Sequence, residues 1–147
     1  MSEIEAIWRE RALWELGAAG LRKGQARLAV IDLLSKQPCA LTAPEIESSL
    51  RKKGHRVGLA SIYRTLELLA EMKLVGRLDV GQGIARYEPL VPGGDHHHHL
   101  VCDQCGRVIP FDDDELEETI DRLTRKVRFQ VAEHDVVLHG ACGTCRN

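Results

Sequence analysis

The sequence predicts an α+β fold in two parts, helical first and mixed second. Three observations carry this. Four stretches of apolar residues at helical spacing lie before residue 73. Two short alternating runs then flank Gly81-Gln82-Gly83, the pattern of a β-hairpin. After the break Pro89-Leu90-Val91-Pro92-Gly93-Gly94, a helical pattern lies among three strand-like runs, and two Cys-x-x-Cys pairs bracket that segment.

Each element has its own signal. Ile4, Ile7, Trp8, Leu13, Trp14 and Leu16 recur at helical spacing among charges, which predicts an amphipathic helix over 3–18. Gly17 and Gly20 suit its end. Leu21, Leu28, Ile31, Leu33 and Leu34 mark a second helix over 24–36, stopped by Pro38. Thr42-Ala43-Pro44-Glu45 places a capping threonine, an early proline and a carboxylate at the third helical position. That third helix runs to Lys53, turns Ile46 and Leu50 inward, and stops at Gly54. The fourth starts after Gly58 or at Ser61. Its buried stripe is Leu59, Ile62, Leu66, Leu69 and Met72, with Ser61, Tyr63, Arg64 and Glu67 off the stripe. The runs 75–80 and 84–88 form the hairpin. Helices followed by a hairpin outline a winged helix-turn-helix, although a plain three-helix core gives a similar pattern.

The expected organisation is a winged-helix domain over 1–88, a hinge over 89–95 and an α/β domain over 96–147. In the last, His96–Cys102, Val108–Phe111 and Val131–Leu138 read as strands. Asp113–Lys126 reads as a helix with Leu116, Ile120 and Leu123 inward and acids in its first turn.

Charge divides the chain in the same way. Residues 1–88 carry a net of +3, residues 89–147 a net of -5, and Gly20–Arg64 a net of +6. A basic segment joined to an acidic, ligand-rich one suggests a part that meets polyanions; a solvated surface with uneven charge is the plainer reading. In a helix-turn-helix the start of the last helix faces base edges, which here means Ser61, Tyr63 and Arg64. Arg22, Lys23 and Arg27, with Arg51, Lys52, Lys53 and Arg56, then lie where phosphates are contacted. The N-terminus has no basic, apolar signal segment and no run is long enough to span a membrane, so the chain is expected in the cytoplasm.

The second half is rich in metal-ligating side chains. Four of the seven histidines and two of the five cysteines fall within Asp95–Cys105. Cys102, Cys105, Cys142 and Cys145 supply four thiolates, enough to close a tetrahedral structural zinc site. A redox pair would sit before a helix in a thioredoxin-like pattern, and Cys102 ends a strand. On a strand, side chains alternate between faces, so His96 and His98 point one way, His97 and His99 the other. One run can therefore serve two sites. An affinity tag would be terminal and longer. His134 gains interest from lying shortly before Cys142; His139 stays open as a ligand or a polar strand-end residue.

Taken together, these residues resemble the ferric uptake regulator superfamily of metal-responsive transcriptional regulators. Gly58-Leu59-Ala60-Ser61-Ile62-Tyr63-Arg64-Thr65-Leu66 is similar to its recognition helix, and Ala85-Arg86-Tyr87-Glu88 to the end of its wing. His96–Gly106 and His134 to Cys145 are similar to its metal-binding segments. The resemblance implies an N-terminal winged helix and a C-terminal α/β dimerisation domain. It also implies a homodimer that binds a palindromic double-stranded DNA operator when loaded with metal, repressing metal-homeostasis genes. It implies structural Zn2+ on Cys102, Cys105, Cys142 and Cys145, and a second site of His96, His98, Glu117 and His134. A regulatory divalent ion, Fe2+, Zn2+ or Mn2+, is implied on Glu88, His97 and His99 with one more ligand. That ligand is where the chain departs from the pattern. Ala40 and Gly76 stand where relatives carry a donor, leaving Cys39 and Asp79 as candidates.

Three alternatives stand beside this. A peroxide sensor of the same family would require iron-dependent oxidation of a ligand histidine. A zinc-stabilised interaction module would have no DNA role, which the basic segment argues against. A zinc hydrolase or deaminase needs an open metal position with a general base, and neither His-Glu-x-x-His nor His-x-Glu with Pro-Cys-x-x-Cys is present; no enzyme activity is expected.

Overall fold

The computed structural model describes residues 3–36, 40–79, 83–91 and 96–146. It divides into two compact units, Met1–Asp95 and His96–Asn147. Pro38, Cys39, the first two residues of the Gly81–Gly83 turn, and residues 92–95 of the expected hinge lie outside the described residues.

The first unit holds helices α1 (Glu3–Ala18), α2 (Gln25–Ser35), α3 (Ala43–Lys52) and α4 (Leu59–Glu71), with strands β1 (Leu41–Thr42), β2 (Val75–Asp79) and β3 (Ala85–Pro89). Its core gathers Leu16, Ile31, Leu34, Ile46, Ile62 and Leu66, all essentially inaccessible. The inward face of α1 is Trp8, Ala12 and Leu16. Ile4, Ile7 and Trp14, which share the helical spacing, stay exposed, because only one stripe of a surface helix meets the core. Trp8 crosses that core and donates its indole N–H to the carbonyl of Leu74 at 2.8 Å. Such a bond contributes about 1 kcal/mol net and pins the first helix to the base of the hairpin.

Thr42 caps α3 as its residues predict. Its hydroxyl accepts from the N–H of Glu45 at 3.2 Å, and the Glu45 carboxylate accepts from the N–H of Thr42 at 3.0 Å. Helix α4 begins at Leu59 with Gly58 as its cap. Leu59 itself is exposed, and Thr65 takes a place on the buried stripe. The Thr65 hydroxyl is buried without penalty because it donates to the carbonyl of Ser61 at 2.9 Å.

Strands β2 and β3 pair antiparallel, and the two-residue β1 adds to the outer edge of β3, with Leu41 opposite Tyr87 and Thr42 opposite Arg86. So short a strand gives no alternation to read. Pro89, expected in the hinge, is the last residue of β3, opposite Val75; a strand end tolerates its missing N–H. Leu90 continues the contact by donating to the carbonyl of Leu74 at 2.9 Å, and Val91 packs on the core.

The second unit holds β4 (His98–Cys102), β5 (Val108–Phe111), α5 (Asp114–Lys126) and β6 (Val137–Gly140) in a sheet ordered β5-β4-β6. β4 is antiparallel to β5 and parallel to β6. Two expectations change here. Residues 131–136 are not strand: the N–H of Val136 donates to Nδ1 of His98 at 3.1 Å, and only its carbonyl meets β4, accepting from the N–H of His99 at 3.0 Å. And α5, capped by Asp113, buries none of its residues. Leu116 and Ile120 are only half-covered and Leu123 is 57% exposed, so the apolar face of this helix is incompletely covered within its own unit.

Candidate metal centres and DNA interface

The four thiols of the second unit meet at the ends of two strands. Parallel pairing sets Cys102 beside Gly140, and the N–H of Asp103 donates to the carbonyl of Gly140 at 2.8 Å. Tight turns follow, closed from Gly106 N–H to Cys102 carbonyl and from Cys145 N–H to Cys142 carbonyl, each 2.9 Å. Gly106 has φ +74°, a conformation that favours glycine. All four sulfurs lie within 4.8 Å of one another, with Cys105 and Cys142 3.8 Å apart.

The electrostatics of the four thiols suit a cation. The thiol of Cys102 is pulled down to about 6, first by the backbone N–H of Cys105 and then by those of Cys142 and Gln104. Cys142 is lowered in the same way by the N–H groups of Cys145 and Thr144. Cys145 is pushed up to about 12, because its thiol is held first by Cys142 and then by Cys105. Backbone dipoles favour thiolate at Cys102 and Cys142, yet Cys145 resists ionisation beside the other sulfurs. A divalent cation relieves that conflict, and a tetrahedral sulfur set is the one zinc takes. The donors therefore fit Zn2+. His139, on the rim, is accounted for by Asp103, whose carboxylate lies 3.0 Å from its Nδ1.

A second cluster joins β4, α5 and the loop before β6. Glu117 on α5 lies between His98 and His134, with Oε1 2.6 Å from Nε2 of His98 and Oε2 2.8 Å from Nε2 of His134. Nε2 of His96 is 3.2 Å from that of His134 and 3.6 Å from Oε1 of Glu117. One ligand atom from each of the four lies within 4.8 Å of the others. The hydrogen bond from His98, and after it that from His134, holds the Glu117 carboxyl below its ordinary value. Because Nδ1 of His98 accepts from Val136, the proton of its neutral ring sits on Nε2, facing Glu117. Three imidazoles and a carboxylate suit a borderline cation such as zinc, whose binding displaces such protons.

The other two histidines take the opposite side. The rings of His97 and His99 lie 4.8 Å apart, centre to centre, and His99 is buried. Glu88 is half-buried on β3 of the first unit, paired with Gly76. A side chain at position 76 would meet Leu90, whose Cδ2 lies 3.2 Å from where its Cβ would stand. Asp79 is exposed, 3.6 Å from Arg77. Ala40 is buried.

On the first unit, Tyr63 and Arg64 are exposed at the start of α4 and Ser61 is half-buried. Arg64 Nη2 donates to the Ser61 hydroxyl at 3.1 Å. Arg22 and Lys23 are exposed ahead of α2, and Nη1 of Arg27 donates to the Arg22 carbonyl at 2.6 Å, bracing that loop. One buried group escapes sequence reasoning. Arg86 reaches Glu45, 41 positions away, at 3.0 Å, and nothing local marks the pair.

The model of the ferric uptake regulator family matches residues 18–139. The chain belongs to that family. It is 37% identical over 122 residues to the ferric uptake regulation protein of Bacillus subtilis, covering 82% of each chain. Among solved structures, it superposes on the Helicobacter pylori ferric uptake regulator with a TM-score of 0.86 at 26% identity, covering 100% of this chain and 98% of that one. That protein is described as having three functional metal-binding sites. The Vibrio cholerae ferric uptake regulator gives a TM-score of 0.79 at 33% identity, covering 88% and 98%. An α+β fold with a winged helix and a four-cysteine cluster is thus what this family member carries. No helix among the described residues is long and apolar enough to cross a membrane.

Proposed function

We propose that the chain is a metal-dependent DNA-binding transcriptional repressor of metal-homeostasis genes, binding palindromic operators as a homodimer. The observation that carries this is an exposed recognition-helix start in the same family member as gathered sets of metal-ligating side chains. It is a regulator, without enzyme activity, and acts in the cytoplasm where its DNA lies.

Cys102, Cys105, Cys142 and Cys145 hold structural Zn2+ with no open position. His96, His98, Glu117 and His134 hold a second ion. His97 and His99, with Glu88, hold the regulatory divalent ion, Fe2+, Zn2+ or Mn2+; this set rests on the family pattern. Cys39 and Asp79 are the candidates for a further donor. When bound, a divalent cation supplies the charge that lets two imidazoles and a carboxylate share one point. Glu88 lies on β3 and His99 on β4, with His97 directly before that strand. Committing them to one site favours one spacing of the paired recognition helices, and linkage makes operator and ion each tighten the other.

At the DNA, Ser61, Tyr63 and Arg64 face base edges, while Arg22, Lys23 and Arg27 hold phosphates or enter the minor groove. Such contacts make binding fall steeply with salt. The incompletely covered apolar face of α5 supports the homodimer, whose two-fold axis matches a palindromic site.

The test is operator binding, on DNA selected from a random pool, with zinc kept on the cysteines. Fe2+, Mn2+ or Zn2+ is expected to tighten binding on the order of tenfold or more. Replacing His97 and His99 with alanine removes that response. Equal affinity with and without every ion overturns the reading.

A further inference from the structure

Arg86 is the only buried lysine, arginine, aspartate or glutamate among the described residues. Its carboxylate partner Glu45 keeps 44% of its side chain exposed, and a pair in which one charge is desolvated and the other screened is a poor device for stability. Its place in the fold suggests another use. Nη1 of Arg86 donates to Oε2 of Glu45 at 3.0 Å and to the carbonyl of Ala40 at 3.3 Å. The same Glu45 oxygen accepts the N–H of Thr42 at 3.0 Å, and Thr42 is paired in the sheet with Arg86 itself. One guanidinium therefore fastens β3 to β1 and to the first turn of α3. Helix α3 packs on α4, the helix that presents Tyr63 and Arg64. Alternate residues on a strand share a face, so Arg86 and Glu88 lie on the same side of β3, with Tyr87 on the other.

We propose that Arg86, acting through Glu45, is a positioning residue for metal control of DNA binding. It makes β3 and α3 move as one body, so that engagement of Glu88 by an ion biases the recognition helix. This rests on the reading of Glu88 as a regulatory ligand. Without Arg86, Glu88 still offers its carboxylate, but a shift of β3 is absorbed at the loosened junction. Ion affinity and ion-driven DNA binding then come apart, which a residue serving stability alone would not produce.

The experiment uses the full chain as the zinc-loaded dimer, in wild-type, Arg86→Met, Glu45→Gln and doubly substituted forms. Operator affinity is measured without added ion and with Fe2+, Mn2+ and Zn2+ in turn. Ion affinity is measured without DNA, and thermal melting checks folding. In each single variant the ratio of ion-loaded to ion-free operator affinity is expected to fall about tenfold, with no further fall in the double variant and ion affinity within about twofold of wild type. A wild-type ratio in the variants overturns the inference, including the case where both operator affinities weaken together. If Arg86→Met does not fold, Glu45→Gln decides, because it keeps the arginine and the Thr42 cap. A wild-type protein that responds to none of the ions fails the proposed function itself and takes this inference with it.

Discussion

Nε2 of His98 lies 2.6 Å from Oε1 of Glu117, while Oε2 of the same carboxylate lies 2.8 Å from Nε2 of His134. One side chain on α5 thus joins β4 to the loop before β6. The hydrogen bonds hold the Glu117 carboxyl below its ordinary value of 4.5. A carboxylate depressed on folding adds stability that is present above the unfolded value and lost as pH falls through the folded one. Glu117→Gln is therefore expected to be less stable than wild type at neutral pH, with a gap that persists down to about pH 5. Chemical denaturation of both proteins, carrying zinc on the cysteines but no other ion, checks this. A gap that already closes between about pH 7 and 5 would mean a raised carboxyl and sink the assignment.

The cysteine cluster carries a stronger expectation. Backbone N–H groups prepare Cys102 as a thiolate, and Cys145 resists ionisation until a cation arrives. Structural zinc contributes on the order of 10 kcal/mol to small sites, and β5-β4-β6 with one helix that fully buries none of its residues has little core to replace it. Cys102→Ser is expected to be isolated with about one zinc fewer per chain and to lose amide protection across His96–Asn147, while Met1–Asp95 stays folded. Elemental analysis with hydrogen exchange reads both. Full zinc content in Cys102→Ser would remove this residue from the site.

Local signals made much of the first unit legible. The Thr42–Glu45 capping box and the glycine-flanked hairpin each lie within a few residues, where side-chain chemistry alone specifies geometry. Family membership was legible for a similar reason, since ligand spacing and the recognition-helix residues are contiguous. What escaped depends on distant partners. β1 exists only because β3 offers it an edge. The apolar spacing of Ile4, Ile7 and Trp14 could not reveal which side of α1 meets the core. The loop 131–136 looked like a strand because its residues suit one, but His98 takes the Val136 N–H. Two Cys-x-x-Cys pairs announce metal chemistry; the parallel register of β4 with β6, which brings their ends together, is written nowhere in their spacing.

Helix α4 ends in a strained position. Lys73 has φ +58°, and around it the N–H of Lys73 donates to Ala70 and that of Leu74 to Leu69, at 3.0 and 2.8 Å. This is a C-terminal cap that glycine normally fills, since a side chain in the left-handed region costs roughly 1 kcal/mol. Lys73 is exposed, so removing its side chain forfeits little packing. Lys73→Gly is expected to stabilise the first unit by about 0.5–1 kcal/mol, less whatever glycine adds to the unfolded chain's freedom. Thermal or urea unfolding measures it; a clear loss of stability would show that the lysine makes a contact worth more than the strain.

The exposed part of α5's apolar face makes the last prediction. Leu123 on α5 is 57% exposed, and just past the helix Val127 is 60% and Phe129 68% exposed; a helix that fully buries none of its residues gains little from its amphipathic pattern within its own unit. Helices of this length are marginal alone in water, so an apolar stripe must be covered by something to hold the helix. Exposed leucine on the helix and phenylalanine just past it suit an interaction surface, and a second copy would cover both stripes at once. Leu123→Glu places a charge where each copy would meet the other, and burying an unpaired charge costs several kcal/mol. Wild-type protein is expected to sediment as a dimer at micromolar concentration and Leu123→Glu as a monomer with an intact winged-helix unit. Operator affinity should fall with it, because one half-site then binds without its partner. Dimers of undiminished stability in Leu123→Glu would mean that α5 is covered in some other way.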